Sequence, residues 1–244
     1  LASGEPVLGT FLKTPSPMLC EVITQTDIDM ICLDAEHSPF DRTTLDHCIF
    51  ALRAGGMPSV VRVPALAAEH FLNALDCGAT GIVAPHVITA EDAHLAAAQS
   101  HFGQGRGFAG STRAAGYTSK SMATHMKDSQ SDTVVIAQIE DKEALDHLDD
   151  IFATAGIDCF FIGRSDLTIS LGYDDPSHPD VVSVVEAICA KGKEANVRLG
   201  TFTANIEEIP SWRAQNVSLF ILASDHNFML QGARSFSEKV RSYF

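Results

Sequence analysis

The sequence predicts an α/β fold, a closed (β/α)8 TIM barrel, and three observations carry that expectation. Short apolar runs alternate with helix-length amphipathic stretches from one end of the chain to the other. The runs are continuously apolar, as strands buried on both faces of a parallel sheet must be, whereas a sheet with one wet face would alternate. The length of 244 residues matches one such barrel, so residues 1–244 are expected to form a single domain. A doubly wound open sheet is the main alternative.

Taken in order, strands are expected at Val7–Leu12, Ile28–Asp34, Ser59–Val63 and Gly81–Ala84, then at Val134–Ile139, Cys159–Gly163, Arg198–Thr203 and Val217–Ala223. Gly78 stands before the fourth strand where a helix C-terminus needs a left-handed residue. Thr89-x-x-Asp92 approximates a capping box and opens a helix over Ala90–Ser100. Leu145, Leu148, Ile151 and Phe152 make one apolar face at helical spacing, and Gly156 ends that stretch as Gly78 ends the earlier one. The rhythm breaks between Gly103 and Asp132, a Gly-rich, polar stretch too long for an ordinary connection and therefore functional or flexible by expectation. Within it Gly105-Arg-Gly-Phe-Ala-Gly110 matches G-x-G-x-x-G, but a dinucleotide fingerprint must follow a strand and open a helix. Here it follows a helix, so we reject it; no G-K-[ST] supports a phosphate loop either.

Composition narrows the function. A formal charge of −14 opposes binding to nucleic acid and to anionic membrane surfaces. Six cysteines are scattered without a C-x-x-C pair, and Cys32 and Cys159 lie inside apolar strands, as expected of reduced core residues in a cytoplasmic protein. No run approaches the roughly 18 apolar residues of a membrane span. The start, Leu1-Ala-Ser-Gly-Glu5, has neither the basic nor the apolar region of a signal peptide.

The chemistry is expected where the apolar runs end. Ile31-Cys-Leu-Asp-Ala-Glu-His37 passes abruptly from buried strand to Asp34, Glu36 and His37; Val134–Glu140 closes on a carboxylate, and Asp166 follows Cys159–Gly163. Arg62 sits near the end of Ser59–Pro64. Ionisable groups are costly to bury alone, so four strands that deliver them to one edge suggest a shared polar pocket. Glu140 and Asp166 offer hard oxygens suited to Mg2+ or Mn2+, or else serve as helix N-caps. His37 is the best base, with Asp34 or Glu36 to orient it. Arg62 is an anchor for a carboxylate or oxyanion, or an ion pair with a neighbouring strand.

Leu33-Asp-Ala-Glu-His-Ser-Pro39, Val61-Arg-Val-Pro64, Ala74-Leu-Asp-Cys-Gly-Ala79 with Ile82-Val-Ala-Pro85, Ala137-Gln-Ile-Glu140 and Phe161-Ile-Gly-Arg-Ser-Asp-Leu167 stand in one order along nearly the whole chain. Together they resemble the metal-dependent class II pyruvate (2-oxo acid) aldolases, the 4-hydroxy-2-oxoheptanedioate aldolase family, related to the citrate lyase β-subunit. The resemblance implies a barrel of the phosphoenolpyruvate/pyruvate type and reversible cleavage of 4-hydroxy-2-oxo acids into pyruvate and an aldehyde. It implies a divalent cation, Mg2+, Mn2+ or possibly Co2+, on Glu140 and Asp166, with no organic cofactor. It also implies a His37–Asp34 acid–base dyad, Arg62 on a pyruvate oxygen, and Gln138 and Asp76 in support, with Ser165 beside Asp166 as a further substrate-binding candidate. Family members look like hexamers whose terminal helices pack on a neighbour, so a homo-oligomer is expected.

The sequence departs from the family pattern at Arg164 and Ser165, usually Pro and Ala, at His86, usually apolar, and in Gly103–Gly107, which lacks paired prolines. Arg164 and His86 could therefore add positive charge for an acidic acceptor aldehyde, or form surface ion pairs. A Schiff-base route needs a lysine inside the barrel, and only Lys13 lies near an expected strand end. The remaining alternatives are a carbon–carbon condensing or citrate-forming enzyme with the same enolate chemistry, and a barrel that binds a 2-oxo acid without turnover.

Overall fold

The computed structural model describes residues 5–244. Eight parallel strands, β1 (Val7–Leu12), β2 (Met30–Asp34), β3 (Ser59–Arg62), β4 (Gly81–Ala84), β5 (Val134–Ile139), β6 (Cys159–Ile162), β7 (Leu199–Thr203) and β8 (Val217–Ser224), close in sequence order into a barrel. The closed barrel thus replaces the open-sheet alternative, and the strand bounds differ from the expected ones by at most two residues. Ten helices are seen among the described residues: α1 (Pro17–Ile23), α2 (Arg42–Ala54), α3 (Ala68–Asp76), α4 (Ala90–Ser100), α5 (Met122–Asp132), α6 (Leu148–Phe152), α7 (Arg164–Ser170), α8 (Pro179–Glu194), α9 (Ile209–Ala214) and α10 (Asp225–Arg241). None is long and apolar enough to cross a membrane.

Two hydrophobic clusters explain the continuously apolar strands. Phe11, Met30, Cys32, Val60, Val83, Ile136, Cys159, Phe161, Leu219 and Ile221 fill the barrel interior. The intervening strand residues, such as Ile31, Val61, Val135 and Phe160, pack outward against the helices. Because side chains alternate along a strand, each interior residue fixes the direction of the residue two places on. Cys32 thereby sends Asp34 inward, Val60 sends Arg62, Ile136 sends Gln138, and Phe11 sends Lys13. These polar groups form the top layer of the lumen at the C-terminal ends of the strands.

The helices begin where the sequence can satisfy their free N–H groups. Asp41 and Thr44 form a reciprocal capping box on α2, and Thr89 and Asp92 do the same on α4. Gly78 and Gly156 adopt left-handed backbone (φ +96° and +89°). The Gly103–Asp132 stretch is not all loop: Ser121 accepts from the Thr124 N–H and opens α5. Only His125 and Ser129 of that helix are buried, so its mostly polar sequence hid the helical pattern. Since barrel helices run antiparallel to the strands, the ends of α3 and α4, and the 101–121 segment that follows α4, lie at the N-terminal pole of the strands, opposite the polar layer.

A seam ties the chain's two ends together. The Lys13 and Thr14 N–H groups donate to the Asp225 carboxylate (2.8 and 3.1 Å), and Thr10 Oγ1 donates to the Leu222 carbonyl at 2.6 Å. Beyond this root, α10 has no buried residue and leaves Met229, Phe236 and Val240 exposed.

Candidate active site at the strand ends

Register brings the first charged groups together. Asp34 of β2 and Arg62 of β3 are direct strand partners. Arg62 Nε donates to Asp34 Oδ1 at 3.0 Å, Nη2 lies 2.9 Å from the same oxygen, and Nε lies 3.2 Å from Glu36 Oε2. The guanidinium also stands over the Phe11 ring, 4.6 Å from its centre. On the other side Lys13 Nζ pairs with Asp34 Oδ2 at 2.7 Å. Burial alone would raise the Asp34 carboxyl, but Arg62 and Lys13 outweigh it and hold it below its ordinary value. Asp34 is therefore a charged strut between two cations.

That use of Asp34 corrects the expected dyad. Asp34 reaches His37 only through the backbone, accepting from the His37 N–H at 3.2 Å. The His37 imidazole, half exposed at the rim, has Glu36 as its neighbour, Nε2 to Oε2 at 3.6 Å. Two cations on neighbouring strand ends claim Asp34, and the loop turns His37 outward.

A second group gathers on β5 and the loop after β4. Glu140 is buried; Gln138 Nε2 donates to its Oε2, and the His86 N–H donates to its Oε1 at 2.9 Å. Burial raises the Glu140 carboxyl despite these donors, and it raises Glu36 despite Arg62 and His86. Gly163 keeps the space open, because a Cβ there would stand 2.8 Å from Glu140 Oε2 and 3.2 Å from Gln138 Nε2. Gln138 Oε1 is buried and has no hydrogen-bond partner. Ser165 and Asp166, exposed in the first turn of α7, line the same cleft of about 260 Å³ with Lys13, His37, Arg62, Gln138 and three rings, Phe11, Phe161 and Phe202.

Asp76 does not join them. It ends α3 at the opposite pole, where its carboxylate pairs with Arg106 Nη2 at 3.1 Å and lines a separate cavity with Arg42, Asp46 and Arg113. Arg164 touches the cleft but is committed elsewhere. Its Nε donates to the Pro176 carbonyl and its Nη1 to Glu208 Oε2 (2.8 and 2.7 Å), and Glu208 also accepts from Trp212. Arg164 thus fastens the loop before α8 to α9, which removes it as a free charge for an acceptor. Lys13 is the group that sequence reasoning undervalued; the signal was its place directly after the apolar run of β1, matching Asp34 after β2.

The donor set of Glu140, Glu36 and the unpaired Gln138 Oε1 fits a hard divalent cation, and the Gly163 notch leaves room beside Glu140; Asp166 lines the cleft but lies outside the group of donors gathered around Glu140. With two fixed cations across the cleft, the arrangement can hold an oxyanion and polarise a carbonyl.

A family model described as HpcH/HpaI aldolase/citrate lyase matches residues 8–231. A hydroxypyruvate/pyruvate aldolase of Paraburkholderia phytofirmans is 31% identical, over 99% of this chain and 96% of its own length. Among solved structures, a HpcH/HpaI aldolase/citrate lyase family protein from Burkholderia cenocepacia J2315 is 32% identical, with a TM-score of 0.91 over 98% of this chain and 95% of that one. A citrate synthase is 28% identical, with a TM-score of 0.89 over 99% of this chain and 96% of its own.

Proposed function

Because the chain belongs to the HpcH/HpaI aldolase/citrate lyase family and is a carbon–carbon lyase of the aldolase kind, we propose that its strand-end cleft cleaves 4-hydroxy-2-oxo acids reversibly into pyruvate, or a close 2-oxo acid, and an aldehyde. The observation that carries this assignment is the lumen layer in which Arg62, fixed by Asp34, shares one cleft with Asp166 and with Gln138, whose amide holds the buried Glu140. In the cleavage direction the 4-hydroxyl loses its proton, the C3–C4 bond breaks, the aldehyde departs, and its electron pair passes to C3 as the enolate of the 2-oxo acid. A proton returned to C3 completes the methyl group.

Arg62 supplies fixed positive charge to the oxygen on which the enolate charge resides, and Asp34 prevents the guanidinium from turning away. His37, at the rim with Glu36 beside it, exchanges the hydroxyl proton, directly or through one water. Gln138 holds Glu140 in place, and Ser165 offers a hydroxyl to the substrate carboxylate. Glu140 and Asp166 are the ligands for Mg2+, Mn2+ or Co2+, which when bound supplies Lewis acidity at the keto and carboxylate oxygens. Lys13 is not the amine of a Schiff base, since its ammonium is engaged at 2.7 Å by Asp34.

The same reading extends to assembly and place. The exposed Met229, Phe236 and Val240 of α10 support docking on a second copy and a hexamer. Six buried, unbridged cysteines support a reducing cytoplasm. Exchange of pyruvate methyl protons, followed by NMR, tests the enolate chemistry: it should stop on chelation and return with Mg2+, Mn2+ or Co2+. Full exchange in strong chelator, or a borohydride-trapped pyruvyl adduct on Lys13, would overturn the assignment.

A further inference from the structure

His86 stands over the acidic half of the cleft. Its backbone has a positive φ of 52° and is pinned by its N–H to Glu140 Oε1. On the ring, Nδ1 lies 3.0 Å from Asp141 Oδ2 and 3.5 Å from Glu140 Oε1, while Nε2 lies 3.5 Å from Glu36 Oε1. One donor atom from each of Glu36, His86 and Glu140 falls within 4.8 Å of the others, the compass of a single ion. A second observation points to a ligand at this place. The amide of Gln138, only 1% exposed, gives its Nε2 to Glu140 and leaves Oε1 without a partner beside it.

The ring is held as metal-bound histidines are held. A histidine that ligates through one nitrogen almost always gives its other N–H to a carboxylate, a backbone carbonyl or a water, which fixes tautomer and orientation. Asp141 occupies that position on Nδ1 and leaves Nε2 turned to the acidic cluster. Resting on the reading that Glu140 carries a divalent cation, we propose that His86 Nε2 is a further ligand of that cation, making a mixed nitrogen–oxygen site that favours Co2+ over Mg2+. The chemical reason is that imidazole suits the later transition metals, whereas Mg2+ takes oxygen donors and gains little from nitrogen.

The test compares the wild-type protein with His86→Asn, because asparagine tolerates the left-handed backbone and offers only a hard oxygen. Calorimetric titration with CoCl2 and with MgCl2 should show the Co2+ affinity falling at least about tenfold in the variant while the Mg2+ affinity stays nearly the same. Pulsed EPR of the Mn2+-loaded wild type should show nitrogen modulation from a coordinated imidazole, a readout that needs no variant. Equal losses for both metals, unchanged affinities, or the absence of that nitrogen signal would each overturn the proposal. A wild-type protein that binds neither metal would instead overturn the cation reading of Glu140 on which it rests.

Discussion

Arg62 and Arg106 lie at opposite ends of the barrel, are 6% and 7% exposed, stand over phenylalanine rings and face one aspartate each, yet their settings differ in charge balance. Burial would lower the Arg62 pKa, but Asp34, Cys32 and Glu36 outweigh it and raise it. For Arg106 burial prevails over the lone Asp76, and the pKa is lowered. The mouth concentrates more carboxylates than its fixed cations neutralise; the far pole does not. A buried Arg–Asp pair alone therefore does not mark a site, whereas its place at the C-terminal ends of barrel strands, beside surplus negative charge, does.

The histidines repeat the contrast. At the mouth burial opposes protonation of His86, but Asp141, Glu140 and Glu36 outweigh it and raise its pKa. At the far pole burial and Arg106 lower His101 against an opposing Asp158, and burial, Arg106 and Lys120 lower His125. His125 packs there against Phe102 and Phe108, with ring centres 5.1 and 5.8 Å away.

The comparison breaks most sharply at Glu140 and Asp166. Replacing either with Ala should abolish turnover while circular dichroism shows the barrel intact; an active Glu140→Ala enzyme would mean that the acidic surplus has no catalytic use. Next in size, Arg62→Lys should cost about 10²–10³ in rate, in both cleavage and pyruvate proton exchange, because a lysine cannot hold two oxygens with a planar fork. Arg106→Lys should leave kcat close to that of the wild type. If the two substitutions cost the same activity, the distinction between the poles fails.

Asp76→Ala sharpens the contrast from the other side. It strands a buried guanidinium, so urea denaturation should show a loss of about 3–5 kcal/mol with kcat little changed. Collapse of kcat at unchanged stability would return Asp76 to the chemistry. The smallest effect belongs to pH. The folded pKa values of His101 and His125 lie below the ordinary value of about 6.5, so on acidification the unfolded chain takes up protons that the folded chain refuses. Their contribution to stability is present above that pH, is lost as pH falls through it, and levels off below the folded values. Because the raised pKa values of His86, Glu36 and Glu140 act in the opposite sense, the readout is a difference: as pH falls from about 7.5 to about 5.5 the Tm of His125→Phe should gain on that of the wild type, and an unchanged difference would show that His125 does not titrate as its setting requires.

The barrel was legible because burial on both faces forces continuous apolar runs, and Asp34, Arg62 and Glu140 were legible because charge interrupts such runs. Who pairs with whom was not. The Asp34–Arg62 partnership comes from the β2–β3 register, and parallel strands joined through a helix carry no local signal of register. Lys13 takes the second oxygen of Asp34 through the β1–β2 register, in which Leu12 and Leu33 are partners. The far-pole position of Asp76 was not legible because its motif is read along the chain, whereas its place at the end of α3 sets which end of its own barrel it reaches. For Arg164 the sequence left an acceptor charge and an ion pair both open, because its partners, Pro176 and Glu208, lie 12 and 44 residues away; the ion pair with Glu208 forms.

The seam between the first and last strands has a consequence in time. Lys13 is made before the rest of the barrel, yet the backbone that carries it is fastened by Asp225, made 212 residues later. Until that late carboxylate arrives, Lys13 has no fixed post from which to neutralise Asp34. A chain that has not reached Asp225 thus holds the mouth's acids without their settled counter-charge, and the polar layer is completed only with the barrel.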